Sequence, residues 1–148
     1  MRPSRARTDD GSTSLEFITA GLVLLLPLVY LILTISAIQG GALAVEGAAR
    51  QAARVYVDAP SPERAQADAS AAIEVALADY GIEASRVRVT CAPDPNDCLE
   101  RRGFVTVTVA TSVPLPLVPQ VLDLRAPLSV PLESTATQQV SRFSEAAP

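Results

Sequence analysis

The chain has 148 residues, a formal net charge of −4 and no histidine. That length suits about one domain, and the acidic balance excludes the basic footprint that a nucleic-acid partner would leave. With two cysteines and no histidine, a common zinc ligand set is excluded as well.

The opening residues 1–11, MRPSRARTDDG, form a short, polar, basic leader. After Glu16 no charged residue occurs until Glu46, and the run from Phe17 to Ile38 is interrupted by clearly polar side chains only at Thr19, Thr34 and Ser36. About 20 apolar residues let a helix cross the hydrocarbon core of a bilayer, so this run predicts a single span in contact with membrane lipid. Arg2, Arg5 and Arg7 precede it, and Arg50 and Arg54 are the nearest cations beyond it. The positive-inside bias therefore favours a cytoplasmic N-terminus with the C-terminal part extracytoplasmic, in a single-pass protein of a cell membrane.

The helical pattern continues beyond the span, giving one long helix from about Thr13 to Tyr56. Pro27 should kink it, because proline removes a backbone donor and clashes with the preceding turn. Gly40 and Gly41 should weaken it where it leaves the bilayer. Glu46, Arg50 and Arg54 recur at four-residue intervals on one stripe, and Ala48, Ala52 and Val55 form an apolar second stripe. Ser61, Pro62 and Glu63 read as an N-cap, a first-turn proline and a favourable acid. They open a second helix that runs to about Asp79 or Tyr80, with an inner face of Ala65, Ala69, Ala72, Ile73, Ala76 and Tyr80 and a stop at Gly81.

Beyond Gly81 the apolar period becomes two. Val87 and Val89 alternate with Arg86, Arg88 and Thr90, and Val105, Val107 and Val109 alternate with Thr106, Thr108 and Ala110. A third piece, PLSVPLES, sets Leu128, Val130 and Leu132 against Ser129, Pro131 and Glu133, with Pro131 pointing to an edge strand. The fold class is α+β: a long N-terminal transmembrane helix continuing as an amphipathic helix, a second helix, and a small antiparallel sheet of about three strands. The expected divisions are a leader at 1–11, the long helix at 12–57, a small extracytoplasmic domain at 61–140 and a tail at 141–148. Between the second and third strands, the proline-broken segment VPLPLVPQVLDLRAP should fold over an end of the sheet or rest near the membrane surface.

Catalytic constellations are missing from this pattern. There is no histidine base, no phosphate-cradling glycine loop and no dinucleotide fingerprint, so neither an enzyme nor a cofactor is expected. Asp94 to Asp97, DPND, lacks the spacing of a calcium loop and reads as a tight turn. Cys91 and Cys98 are the only cysteines. On the extracytoplasmic side they suit a structural disulfide better than a redox or metal pair.

The N-terminal junction carries the remaining signal. Thr13-Ser14-Leu15-Glu16 fits a capping box, in which the acid satisfies a free N–H at the helix start. Yet Gly11 and Ser12 also place Glu16 as the fifth residue after a glycine, directly against the apolar span. GSTSLEF, a proline within the span at Pro27, and AVEGAARQAARVYV with its Ala48-Ala49-Arg50 and Ala53-Arg54 pairs together resemble the TadE-like pilus assembly family of the tight-adherence system. The likeness covers about the first 57 residues. It implies a pseudopilin or minor pilin whose leader is cut between Gly11 and Ser12 by a prepilin peptidase. It also implies that Glu16, with Phe17 beside it, docks on the new N-terminal amine of a neighbouring pilin-like subunit. Two alternatives stay open: an uncleaved anchor presenting a small binding domain, and a secreted module released by a signal-peptide cut after Ala44.

Overall fold

The computed structural model describes residues 12–116 and 129–144. The chain is an α+β protein: α1 (Ser12–Val57), α2 (Pro62–Ala78), then strands β1 (Ala84–Ala92), β2 (Phe104–Pro114) and β3 (Ser129–Gln139). The strands form one antiparallel sheet in the order β1-β2-β3. The leader at 1–11, Leu128, most of the proline-broken segment and the end of the tail lie outside the described residues.

Helix α1 is 46 residues long and remains helical through Pro27, Gly40 and Gly41. The missing N–H at Pro27 deprives the Val23 carbonyl of its usual donor. Two different environments divide the helix. From Leu15 to Ile35 its large apolar side chains are exposed, including Phe17 at 80% and Leu24 at 76%. From Gly41 onward it is one wall of the core, with Ala44, Val45, Ala48, Ala49, Ala52, Ala53, Tyr56 and Val57 buried. Their spacing of three and four residues makes a continuous stripe of mostly small side chains. Burial pushes the Tyr56 phenol above its ordinary pKa. On the solvent side Glu46 and Arg50 form an exposed ion pair, one helical turn apart as expected from the sequence.

The stripe is narrow enough for two partners to approach. Helix α2 packs on one side, and β2 and β3 on the other. The buried face of α2 is Ala65, Ala69, Ile73 and Leu77. Leu77 replaces Tyr80 at the end of that face, since the helix finishes at Ala78. Gly81 then adopts φ 65°. Its N–H donates to the Ala78 carbonyl at 2.9 Å, and the Ile82 N–H donates to the Leu77 carbonyl at 3.3 Å. These paired bonds make a Schellman stop, for which glycine is the suited residue. At the other end Ser61, with extended φ −147°, accepts from the Arg64 N–H at 3.3 Å. The Glu63 carboxyl is held below its ordinary pKa by hydrogen bonds from its own backbone N–H and from the Ser61 hydroxyl.

Strand β2 is the middle of the sheet and carries its core face: Val105, Val107, Val109, Thr111 and Val113 are buried. Thr111 donates its hydroxyl to the Glu83 carbonyl, satisfying the one buried polar side chain among the described residues. On the opposite face hydroxyl pairs link β2 to β3, Thr106 with Thr137 at 2.8 Å and Thr108 with Thr135 at 3.0 Å. Strand β3 is an edge, as Pro131 implied, but continues well past PLSVPLES to Gln139, with Pro131 opposite Ser112. Strand β1 departs from the expected half-buried pattern. Val87 is 41% exposed because α2 scarcely reaches this edge of the sheet.

Gly41 has a role beyond weakening the helix. A Cβ there would collide with Val113 Cγ2 and stand 3.1 Å from Leu132 Cδ1, whereas a Cβ on Gly40 would meet the Tyr80 ring at an ordinary 3.6 Å. The neighbouring glycines should therefore respond oppositely to alanine. Gly41→Ala should destabilise the domain by about 1–3 kcal/mol through overpacking. Gly40→Ala should leave it unchanged or stabilise it by up to about 1 kcal/mol through helix propensity. Chemical denaturation of the two variants in detergent measures both.

Candidate functional site

Every functional residue that the sequence singles out, apart from the cysteines, lies on the N-terminal half of α1 or just before it. Gly11 lies outside the described residues. Ser12 and Thr13 are already helical, so Thr13 is not an N-cap and the capping-box reading of Glu16 does not hold. Glu16 falls beyond the first turn, which holds no acidic residue. It is exposed and makes no hydrogen bond or ion pair with any described residue. Phe17 next to it is exposed too, and Pro27 follows farther along the same helix.

The exposed half has the chemistry of a lipid-facing surface. It is long and apolar enough to cross a membrane, with a mean hydropathy of 2.5 over its most apolar stretch, and that stretch is not covered by any other part of the chain. Two hydroxyls inside it are satisfied locally. The Thr19 hydroxyl donates to the Leu15 carbonyl at 2.7 Å and the Thr34 hydroxyl to the Tyr30 carbonyl at 2.9 Å. Such bonds remove the cost of placing a free hydroxyl in hydrocarbon. Ser12, Glu16 and Phe17 thus lie together at one end of this helix, with the folded domain at the other.

Where α1 leaves the apolar stretch it meets the domain at once. Ser36, Ala37, Gly40 and Gly41 line a cleft of about 390 Å³ with Tyr80 and Pro114. Tyr80 was expected on the inner face of α2. The Gly81 turn instead leaves it 52% exposed with its ring over Gly40. Its position directly before the glycine stop was the signal in the sequence that separates it from the helix face. A second hollow, of about 530 Å³, opens between α2 and the free side of β1. Ile73, Leu77, Ile82 and Val87 supply its apolar walls, with Glu74 and Glu83 at its margin. No group of three or more potential metal-ligating residues occurs among the described residues.

At the far end of the sheet, Cys91 and Cys98 form a disulfide with a Cα–Cα distance of 5.0 Å, within the usual range. It closes the connection after β1. Inside that loop the Asp94 carboxylate accepts from the Asn96 backbone N–H at 2.8 Å. This is an Asx turn, so DPND folds as a turn with the Asp94 carboxylate engaged by the backbone. The sequence separation of 7 makes this a short loop, for which the chain-entropy estimate is about 2.5 kcal/mol of stabilisation. Cys91→Ser/Cys98→Ser should lose roughly that amount in a denaturant titration, and dithiothreitol should reproduce the loss in the wild type while leaving the double variant unchanged.

No family model, characterised protein or solved structure matches this chain, so its function has to be read from the residues themselves.

Proposed function

We propose that the protein is a pilin-like structural subunit, a pseudopilin or minor pilin of a tight-adherence pilus system. It is inserted with its N-terminus in the cytoplasm and cut by a prepilin peptidase between Gly11 and Ser12. The observation that carries this reading is Glu16. It is an exposed carboxylate with no partner among the described residues, on a helix whose next turns are uncharged, mostly apolar and exposed. A carboxylate at the hydrocarbon boundary is costly alone and favourable when paired. Cutting before Ser12 creates a free amine close to that boundary, and a neighbouring subunit can bring such an amine to Glu16. Lateral contact between exposed apolar helices, with Phe17 beside the charge pair, would complete the docking.

Two further features fit this reading, and the first weighs against the secreted alternative. The exposed helix runs without interruption into the core of the domain, so the part that inserts and the part that is displayed form one body. A signal-peptide cut after Ala44 would sever α1 within its buried stripe and remove Gly41 and Ala44 from contact with the sheet and α2. That makes a secreted module starting at Val45 the weaker reading. The extracytoplasmic location assigned to the domain suits the Cys91–Cys98 bridge, which oxidising compartments preserve.

Intact-mass measurement on chain recovered from cells with an active prepilin peptidase tests the cut. A mature chain starting at Ser12 is expected, whereas a retained Met1 would mean an uncleaved anchor. Glu16 is tested by substitution. Glu16→Ala and Glu16→Gln should both insert normally in membranes and both fail to co-assemble with the other pilin-like subunits. Assembly of Glu16→Gln at the wild-type level would remove the charge pairing from the mechanism.

A further inference from the structure

We infer that the base of the folded domain is itself a lipid-contact surface, seated in the headgroup layer of the bilayer with Tyr80 as its anchor. This rests on the membrane reading of α1 and adds to it a second contact made by a different part of the chain. The argument is one of length. Along a helix rising about 1.5 Å per residue, Gly40 lies roughly 36 Å from Glu16. The hydrocarbon core is about 30 Å thick, and about 40–45 Å with both headgroup regions. With the Glu16 carboxylate at the inner edge of the hydrocarbon, the outer edge falls near Ser36 and Gly40 stands about 6 Å beyond it, inside the headgroup layer. Tilting the helix only draws Gly40 closer to the hydrocarbon.

No linker separates this point from the domain. Ser36, Ala37 and Gly40 already share a cleft with Tyr80, Gly81 and Pro114, and α1 is unbroken through all of them. Tyr80 lies over Gly40 and is 52% exposed although large and aromatic. Tyrosine, with an apolar ring and a polar tip, is enriched at this depth. Pro114, exposed at the end of β2, borders the same cleft. The charges adjoining Tyr80 in the chain are Asp79 and Glu83, both exposed. They offer anionic headgroups no attraction, so the contact is aromatic and apolar rather than ionic.

The chain has no tryptophan, which permits a direct test. Full-length Tyr80→Trp, Pro114→Trp and Asn96→Trp are reconstituted in phosphatidylcholine vesicles whose acyl chains carry bromine near the headgroup end. Asn96 lies in the loop closed by the disulfide, at the opposite end of β2 and roughly 30 Å from the base. Fluorescence of Tyr80→Trp and Pro114→Trp should fall about two-fold against unbrominated vesicles, as for interfacial aromatic residues, and that of Asn96→Trp should not change. The quenching should persist at about 1 M salt, where the Debye length is about 3 Å. Vesicle flotation of the same samples reports anchoring separately. Chain that floats with both base tryptophans unquenched overturns the proposal and leaves the span intact. Quenching lost at high salt overturns the apolar contact in favour of an ionic one. Chain that fails to float overturns the membrane reading and this proposal with it.

Discussion

Close approach along the small-residue stripe of α1 is the constraint on which the rest of the fold depends. Gly41, Ala44, Ala48, Ala49, Ala52 and Ala53 project so little that α2 can lie against one flank while β2 and β3 lie against the other. Gly41 is the tightest point, with Val113 and Leu132 occupying the space a side chain would need. Small side chains release little free energy individually when buried. The domain gathers its apolar area instead from the valines of β2 and from Ile73, Leu77 and Val140, which fill the spaces the alanines leave open. Helix α2 makes little contact with β1, and a hollow lined by Ile73, Leu77, Ile82 and Val87 lies between them.

A single helix carries two surfaces of different character. Its first half presents leucine, valine and isoleucine in all directions, as a segment without a preferred core side does. Its second half confines burial to one stripe and places Glu46, Arg50 and Arg54 away from it. The change occurs at Gly40 and Gly41, where propensity alone would weaken the helix. Tertiary contact overrides that tendency, because the absence of a side chain at Gly41 is what admits Val113 and Leu132 of the sheet. The division into a span and a separate outer domain drawn from the sequence therefore runs through a shared core.

Elements with strong periodicity were legible in the sequence, and elements defined by their neighbours were not. The span, the long helix, the capped start of α2 at Ser61 and the alternation of β2 each declare themselves through spacing or local chemistry. The far half of β3 does not. Its TATQQ residues offer Ala136 as their single apolar side chain, and they become a strand because β2 supplies hydrogen-bond partners and threonine hydroxyls opposite them. Leu77 was overlooked in favour of alanines and Tyr80, since the register of a helix face drifts and only the Gly81 turn decides where it stops. The candidate site was legible as a set of positions on α1. The state of Glu16 was not, because its spacing from Thr13 also fits a capping box, and only the helical backbone at Thr13 speaks against that cap.

The unbroken passage of α1 from its exposed half into the core has a mechanical consequence. A pull on the N-terminal end along the helix axis is carried by one helix, lacking a single backbone bond at Pro27, and arrives on the faces shared with α2, β2 and β3. These contacts are distributed along the buried stripe from Gly41 to Val57, so they share the load. A domain hung from a flexible tether would transmit the same pull to its first residues and peel from there. In this protein tension on the span is spread over the length of the alanine stripe, and resistance to extension becomes a property of the whole core.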